Sequence, residues 1–99
     1  MSVMTAPAPA LQPIGEVRWR QVVRLRGRVR DLRVRPTNGG VSSLECTLVD
    51  DTGGITIVFL GRRRISGITL GRDMEVEGMV AENRMRLVIL NPLYTLIEP

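Results

Sequence analysis

The segment VRLRGRVRDLRVRP, Val23 to Pro36, alternates apolar residues with arginine. Alternation with a period of two predicts a β-strand that buries one side and exposes the other. At Asp31 the alternation slips by one residue, which predicts a β-bulge, and Gly27 predicts a second bend or a close approach of another backbone. A long strand that bends twice can take part in two sheets and close them into a barrel.

The rest of the chain divides into short extended segments separated by turn signals. NGG at residues 38–40 and DDTGG at residues 50–54 predict hairpins before and after a second strand. A third strand, ITIVFLG, precedes a polar, glycine-rich stretch in which we expect a short helical turn from about Arg62 to Ser66. The segments MEVEGMVA and MRLVILNP predict a fourth and a fifth strand, joined by a turn at ENR.

The order of these elements predicts the fold class. Five strands with a short helix between the third and the fourth is the order of the OB-fold, an all-β Greek-key barrel. An SH3-like barrel is the structural alternative, but it lacks the long link between strands three and four. A chain of 99 residues has room for one domain. We expect a flexible Ala/Pro-rich arm over residues 1–13 and an OB-fold domain over residues 14–99.

Four segments carry a resemblance to a known family. LRGRVRDL, LVDDTGGITIVFLGRR, ITLGRDMEVEGMV and LVILNPLY, in this order, resemble the OB-fold nucleic-acid-binding domains, including anticodon-binding and single-strand-binding members. The segments are most similar to the RecG-like wedge subgroup. The resemblance implies a ligand that lies across strands two and three, flanked by the loops one–two and four–five. Ligands of the family range over single-stranded DNA, tRNA and branched DNA, and some members bind only proteins.

The charge of the chain indicates an anionic partner. The formal net charge is +4, the sequence pI is about 10.9, and all 14 basic residues are arginine. Arginine suits bidentate contacts to phosphate and stacking on bases better than lysine does. A GC-rich genome, whose codons favour arginine, is the alternative explanation for this composition.

The geometry that the resemblance implies divides the arginines into groups. We expect Arg24 and Arg26 to pair with Glu75 and Glu77 on the neighbouring strand, because cross-strand pairs of opposite charge commonly stabilise a sheet. The candidate nucleic-acid-binding residues are the later arginines of strand one, those of the four–five loop and two that follow strand three. Three less polar residues of strands two and three form the floor between them. Together the candidates are Arg28, Arg30, Arg33, Arg35, Arg62, Arg63, Arg84, Arg86, Thr47, Thr56 and Val58.

Residues for catalysis are scarce in this sequence. There is no histidine, and the single cysteine, Cys46, alternates inward between leucines, so we expect no nucleophile–base pair, no metal site and no cofactor. Asp50 and Asp51 are expected to shape the DDTGG turn. Trp19 and Tyr94 are expected to belong to the core or to cover its ends. The lack of a nucleophile–base pair predicts that the protein is not an enzyme. A single cysteine and the absence of an apolar run as long as a membrane span predict a cytoplasmic protein.

Two hypotheses of function follow. The first is a module that binds single-stranded DNA or RNA, mainly through arginine–phosphate contacts and with weak sequence preference. The second is a protein-interaction or oligomerisation module that uses exposed apolar residues instead. The apolar residues on the expected outward side are Val49, Val58, Leu60, Val88 and Leu90.

Overall fold

The computed structural model of the chain describes residues 8–36 and 39–98. A short 3-10 helix, Ile14–Glu16, precedes six strands, which are β1 (Val22–Pro36), β2 (Ser42–Val49), β3 (Gly54–Leu60), β4 (Asp73–Asn83), β5 (Arg86–Leu90) and β6 (Leu93–Leu96). Among the described residues, no helix is long and apolar enough to cross a membrane.

The first five strands close into a ring in the order β1-β2-β3-β5-β4. The first half of β1 pairs antiparallel with β4 and the second half with β2, so β1 belongs to both sides of the ring. Strand β5 lies parallel to β3 and antiparallel to β4. The predicted all-β, five-stranded OB-fold ring is therefore confirmed. The closing segment LYTL adds a sixth strand on β4, which the sequence analysis did not predict.

Both features predicted for β1, the bulge at Asp31 and a close backbone approach at Gly27, lie where the sequence placed them. The register of β1 against β2 shifts between Val29 and Asp31, which is the predicted bulge. The Asp31 Oδ1 atom accepts a hydrogen bond from the Thr47 N–H at 3.1 Å and so fixes the strand beyond the bulge. At Gly27, a Cβ atom would lie 2.6 Å from the Val49 carbonyl oxygen. Glycine is needed here because another backbone passes too close for a side chain.

The predicted short helix between β3 and β4 is absent from the structure. Residues 61–72 form turns, with Gly61, Gly67 and Gly71 all in the left-handed region (φ 73°, 87° and 82°). Glycines in this conformation interrupt a helix every few residues. The segment is fixed instead by burial, because Ile65 and Ile68 pack into the core of the barrel.

The core is aliphatic, as the scarcity of aromatic residues requires. Its largest fully buried side chains include Leu25, Leu48, Ile57, Met74 and Ile89, drawn from all five strands of the ring. Part of the predicted arm also contacts the barrel. Leu11 forms a parallel bridge with Arg24, and the N–H of the next residue donates to the Arg24 carbonyl at 3.2 Å. Residues 1–7 of the arm lie outside the described residues.

Asp50 joins the 3-10 helix to the turn between β2 and β3. Its Oδ1 atom accepts hydrogen bonds from the N–H groups of Thr52 (2.8 Å) and Gly53 (3.1 Å), which confirms the expected role in the turn. Its Oδ2 atom accepts from the Ile14 N–H at 3.0 Å. Partial burial raises the pKa of Asp50, but these hydrogen bonds outweigh burial and hold the pKa below its ordinary value.

We expect Asp50→Asn to lower the free energy of unfolding at pH 7 by about 1–2 kcal/mol. The amide nitrogen of Asn cannot accept from the Ile14 N–H, which is left unpaired. Because the folded-state pKa of Asp50 is depressed, its stabilisation is complete above the ordinary carboxyl pKa and is lost as the pH falls through the folded-state value. Urea unfolding at neutral and acid pH measures this, and the two proteins should converge at low pH.

Asp51→Asn is the matched control for Asp50→Asn, because Asp51 is an exposed carboxylate in the same turn. It should change the free energy of unfolding by less than about 0.5 kcal/mol. An equal effect of the two substitutions would contradict the role given to Asp50.

Candidate nucleic-acid interface

A groove runs across the outer side of β2, β3 and β5. One part of it, of about 530 Å³, is lined by Arg30, Thr47, Thr56 and Arg86. The two threonines lie directly opposite each other on β2 and β3. Arg30 comes from the β1 bulge and Arg86 from the first position of β5. Four predicted site residues from four different strands therefore meet in one depression.

Arg86 also lines an adjoining depression of about 590 Å³, together with Arg35, Val58 and Arg84. The two depressions share this side chain and form one elongated surface, which we call the arginine groove. It is defined by seven predicted residues, Arg30, Arg35, Thr47, Thr56, Val58, Arg84 and Arg86. Basic side chains thus flank a floor that carries little charge, as the sequence predicted.

The charge of the arginine groove is only partly balanced. Arg35 Nε lies 3.1 Å from Glu45 Oε1, and this carboxylate is largely buried. Within residues 8–36 and 39–98, Arg30, Arg84 and Arg86 are exposed and form no ion pair. Three of the four groove arginines are therefore available to neutralise an anionic ligand.

A tight turn between β4 and β5 places Arg84 at one end of the groove. Asn83 pairs with Arg86, so the hairpin turns through two residues only. Both of them, Arg84 and Met85, are in the left-handed region (φ 53° and 67°), which two-residue hairpin turns require. Such conformations are uncommon for residues other than glycine and are often retained where a side chain has a function. In the sequence, the segment ENR predicted a turn at this place.

The remaining four predicted site residues lie elsewhere. Arg28 forms an ion pair with Asp73 on the β1–β4 side, with Nε 3.3 Å from Oδ1. Arg33 and Arg63 line a separate depression between β1 and the segment that follows β3. Arg62 is exposed and lines neither this depression nor the arginine groove. The structure therefore does not bring these four residues together with the other seven.

The first arginines of β1 behave as sheet-pairing cations. Arg24 Nη2 lies 3.1 Å from Glu75 Oε2, which confirms the expected cross-strand pairing for this residue. Arg26 stands directly opposite Glu75 in the register, whereas Arg24 reaches it diagonally. Among the described residues, Glu77 and Arg26 form no ion pair.

Tyr94 covers the core as expected, but Trp19 does not. Tyr94 packs edge-on against buried Phe59, with ring centroids 5.6 Å apart, and so covers part of the core. Trp19 does not cover the core: it is 54% exposed, and the Arg20 guanidinium stacks over its ring at 4.4 Å. The physical reason is the turn at Arg20 (φ 67°), whose N–H is bonded to the Val80 carbonyl at 2.8 Å. This turn begins β1 and keeps the indole outside the barrel.

The apolar residues predicted to face outward do not form one exposed patch. Val58 and Val88 are almost completely buried. Leu60 and Leu90 remain about half exposed at the edge of the arginine groove. The floor of the groove therefore combines the hydroxyl groups of Thr47 and Thr56 with the almost completely buried Val58.

Comparison with protein-family models and with curated proteins finds no match for this chain. Solved structures do match it. RecG bound to a three-way DNA junction aligns with a TM-score of 0.78 and 14% identity over 93% of this chain. The chain corresponds to 13% of the length of that RecG chain.

Two isolated domains match over most of their own length. The second OB-fold domain of replication protein A from Methanococcus maripaludis has a TM-score of 0.69 and 20% identity, covering 91% of this chain and 97% of its own. The OB domain of MM0293 from Methanosarcina mazei has a TM-score of 0.70 and 20% identity, covering 94% and 88%. Together with the closed ring of five strands, these similarities establish that the chain has the OB-fold.

Proposed function

We propose that this protein binds single-stranded nucleic acid, DNA or RNA, along the arginine groove. Binding rests mainly on contacts between arginine and phosphate, with weak sequence preference. The observation that carries this proposal is the convergence of Arg30, Arg35, Arg84 and Arg86 on one surface, three of them without an ion pair to any residue that the structure describes. A basic groove along a barrel face is the feature by which OB-fold proteins follow a nucleic-acid backbone.

The comparisons support nucleic acid as the general class of ligand. The RecG structure that aligns with this chain contains a three-way DNA junction. Thr47 and Thr56 add hydroxyl groups to the floor, which can donate hydrogen bonds to phosphate or to bases. In the part of the chain that the structure describes, no aromatic side chain lines either half of the arginine groove, so base stacking contributes little and discrimination between sequences is weak.

The proposal is one of binding and not of catalysis. The sequence contains no histidine. Its one thiol, Cys46, is buried in the core, and burial, with a smaller contribution from the charge of Asp31, raises its pKa to about 12. A thiol in this environment stays protonated and is a poor nucleophile.

The test is fluorescence anisotropy with labelled DNA and RNA single strands of about 30 nucleotides at several salt concentrations. If each of the four groove arginines neutralises one phosphate, log K falls with log salt with a slope of about −3. Two strands of unrelated sequence should differ in affinity by less than about threefold, because phosphate contacts carry no sequence information. Absence of binding at low salt, or a slope near zero, would contradict the proposal.

A further inference from the structure

One edge of β1 is open beyond its pairing with β4. That pairing ends at Arg28. The Val29 N–H then donates to the Arg72 carbonyl at 2.9 Å, and the Gly71 N–H donates to the Val29 carbonyl at 2.8 Å. In the part of the chain that the structure describes, no further backbone hydrogen bond joins residues 30–36 to the segment before β4. The second half of β1 therefore pairs with β2 on one side and presents an unpaired strand edge on the other.

A groove of about 520 Å³ lies between this open edge and the segment that follows β3. One wall consists of residues 32–34 of β1, and the other consists of residues 63–69. We call it the β1-edge groove. Among the described residues, it shares no lining residue with the arginine groove, so the two are separate surfaces.

The lining of the β1-edge groove is largely aliphatic. Leu44, Ile65 and Ile68 are buried beneath it, Leu32 is half-buried, and Val34 remains 43% exposed. Such a surface is stabilised when it covers an apolar side chain of a ligand. No aromatic ring lines the groove within the described residues, so it offers no platform on which a nucleic-acid base could stack.

Three arginines border the β1-edge groove. Arg33 lies on the β1 wall, and Arg63 and Arg64 lie on the opposite wall. All three are exposed, and none forms an ion pair with a residue that the structure describes. Arg33 stands directly opposite Glu45 on β2, but Arg35 is the residue that pairs with this carboxylate. A ligand with negative charge on both of its sides would balance these cations.

We propose that the β1-edge groove binds an extended, acidic segment of a protein partner, which adds to the open edge of β1 as a further strand. The main chain of this segment pairs with the edge, as in other cases of strand addition. Along the edge, Leu32 and Val34 alternate with Arg33. A segment in which apolar and acidic residues alternate therefore matches the groove, with its apolar side chains over Ile65 and Ile68.

The open edge itself selects an acidic polypeptide over other occupants. Pairing the same edge of two copies would set the arginines of one chain against those of the other, which is destabilising. Residues 1–13 of this chain carry no acidic side chain. A nucleic acid would balance the arginines, but it would satisfy neither the unpaired main chain nor the aliphatic lining. The proposal is independent of nucleic-acid binding, since it uses a different surface.

Fluorescence anisotropy with a labelled peptide of about ten residues, in which leucine alternates with glutamate, tests the proposal. At near-physiological salt we expect saturable binding with a dissociation constant below about 500 μM. Peptides with serine in place of leucine, or with lysine in place of glutamate, should bind at least about tenfold more weakly. An excess of unlabelled single-stranded DNA should not displace the parent peptide, whether or not the DNA binds in the arginine groove.

Arg33→Gln with Arg63→Gln should weaken the binding of this peptide by about fivefold, because two of the three bordering charges are removed. The matched control is Arg18→Gln with Arg62→Gln, which removes the same two charges at exposed positions outside the groove. The control should change the dissociation constant by less than about twofold. All four side chains are exposed, so thermal unfolding should show an intact fold in both variants.

Backbone methylation of the peptide tests the strand addition itself. N-methyl groups on alternate residues remove the donors from one side of a strand and leave every side chain in place. One alternate set should weaken binding by at least about twentyfold, and the other set, whose N–H groups point away from β1, by less than about threefold. The proposal is overturned if the parent peptide does not bind, if an altered peptide binds as well as the parent, if DNA displaces the peptide, if the two double variants act alike, or if the two methylated peptides bind equally.

Discussion

Replacing Arg30 and Arg86 together by glutamine is expected to weaken the binding of a single strand of about 30 nucleotides by roughly 30-fold at low salt. Both side chains line the same half of the arginine groove, on either side of Thr47 and Thr56. Neither forms an ion pair among the described residues, so neither has a structural charge to balance. Two lost charge-assisted contacts at about 1 kcal/mol each account for this factor.

The salt dependence should change in the same variant. With two of four phosphate contacts removed, the slope of log K against log salt falls in magnitude by about 1.4. If only the net charge of the protein mattered, any two variants that lose the same number of arginines would lose the same affinity. Comparing the salt slopes of two such variants therefore separates local phosphate contacts from the effect of net charge.

Arg24→Gln with Arg26→Gln is the matched control, because it removes the same two charges from a net charge of +4. These arginines lie on β1 beside β4, where Arg24 pairs with Glu75. Binding should weaken by less than about threefold. Equal losses in the two double variants would exclude the arginine groove as the site, even if the protein binds nucleic acid.

Gly27→Ala is expected to lower the free energy of unfolding by about 3 kcal/mol and the melting temperature by about 15 °C. The new Cβ atom would lie 2.6 Å from the Val49 carbonyl oxygen and 3.0 Å from side-chain atoms of Ile14 and Leu48. A backbone oxygen cannot move without displacing the end of β2. The substitution therefore opens the point where β1 passes from β4 to β2.

Gly54→Ala is the control for this prediction. Gly54 is also an extended strand residue, but its Cβ would meet methyl groups of Val49 and Thr47 at 3.1 and 3.4 Å, and the Leu48 carbonyl oxygen at an ordinary contact distance of 3.6 Å. The loss should stay below about 1 kcal/mol, as measured by thermal and urea unfolding. A similar loss for both glycines would contradict the role given to the close approach at Gly27.

The sequence predicted the barrel because its strongest signals are local. The period-two alternation, the slip at Asp31 and the glycine at position 27 all act within a few residues, and each lies where it was expected. The helix expected at Arg62–Ser66 does not form. Gly61 and Gly67 on either side of it adopt left-handed conformations and Ile65 is buried in the core, and these constraints outweigh the local helical preference. Strand β6 was missed because a short segment after Pro92 carries little periodicity.

The candidate site could be predicted only in part. An outward strand position is visible in the alternation, so the sequence could name the arginines that face solvent. Their division into surfaces depends on distances between strands that are remote in the chain. The structure places Arg33 and Arg63 in a separate depression, whereas Arg30 and Arg86 line the arginine groove across β2, β3 and β5.

By itself, the sequence determined the all-β class, the bends of β1, an aliphatic core and an excess of basic side chains. These properties follow from residue type and from spacing along one strand. Only the tertiary structure decided which arginines converge, that Trp19 lies outside the barrel, and that Arg33 and Arg63 border one groove. The reason is that closing the ring sets the register between distant segments, and register determines which side chains become neighbours.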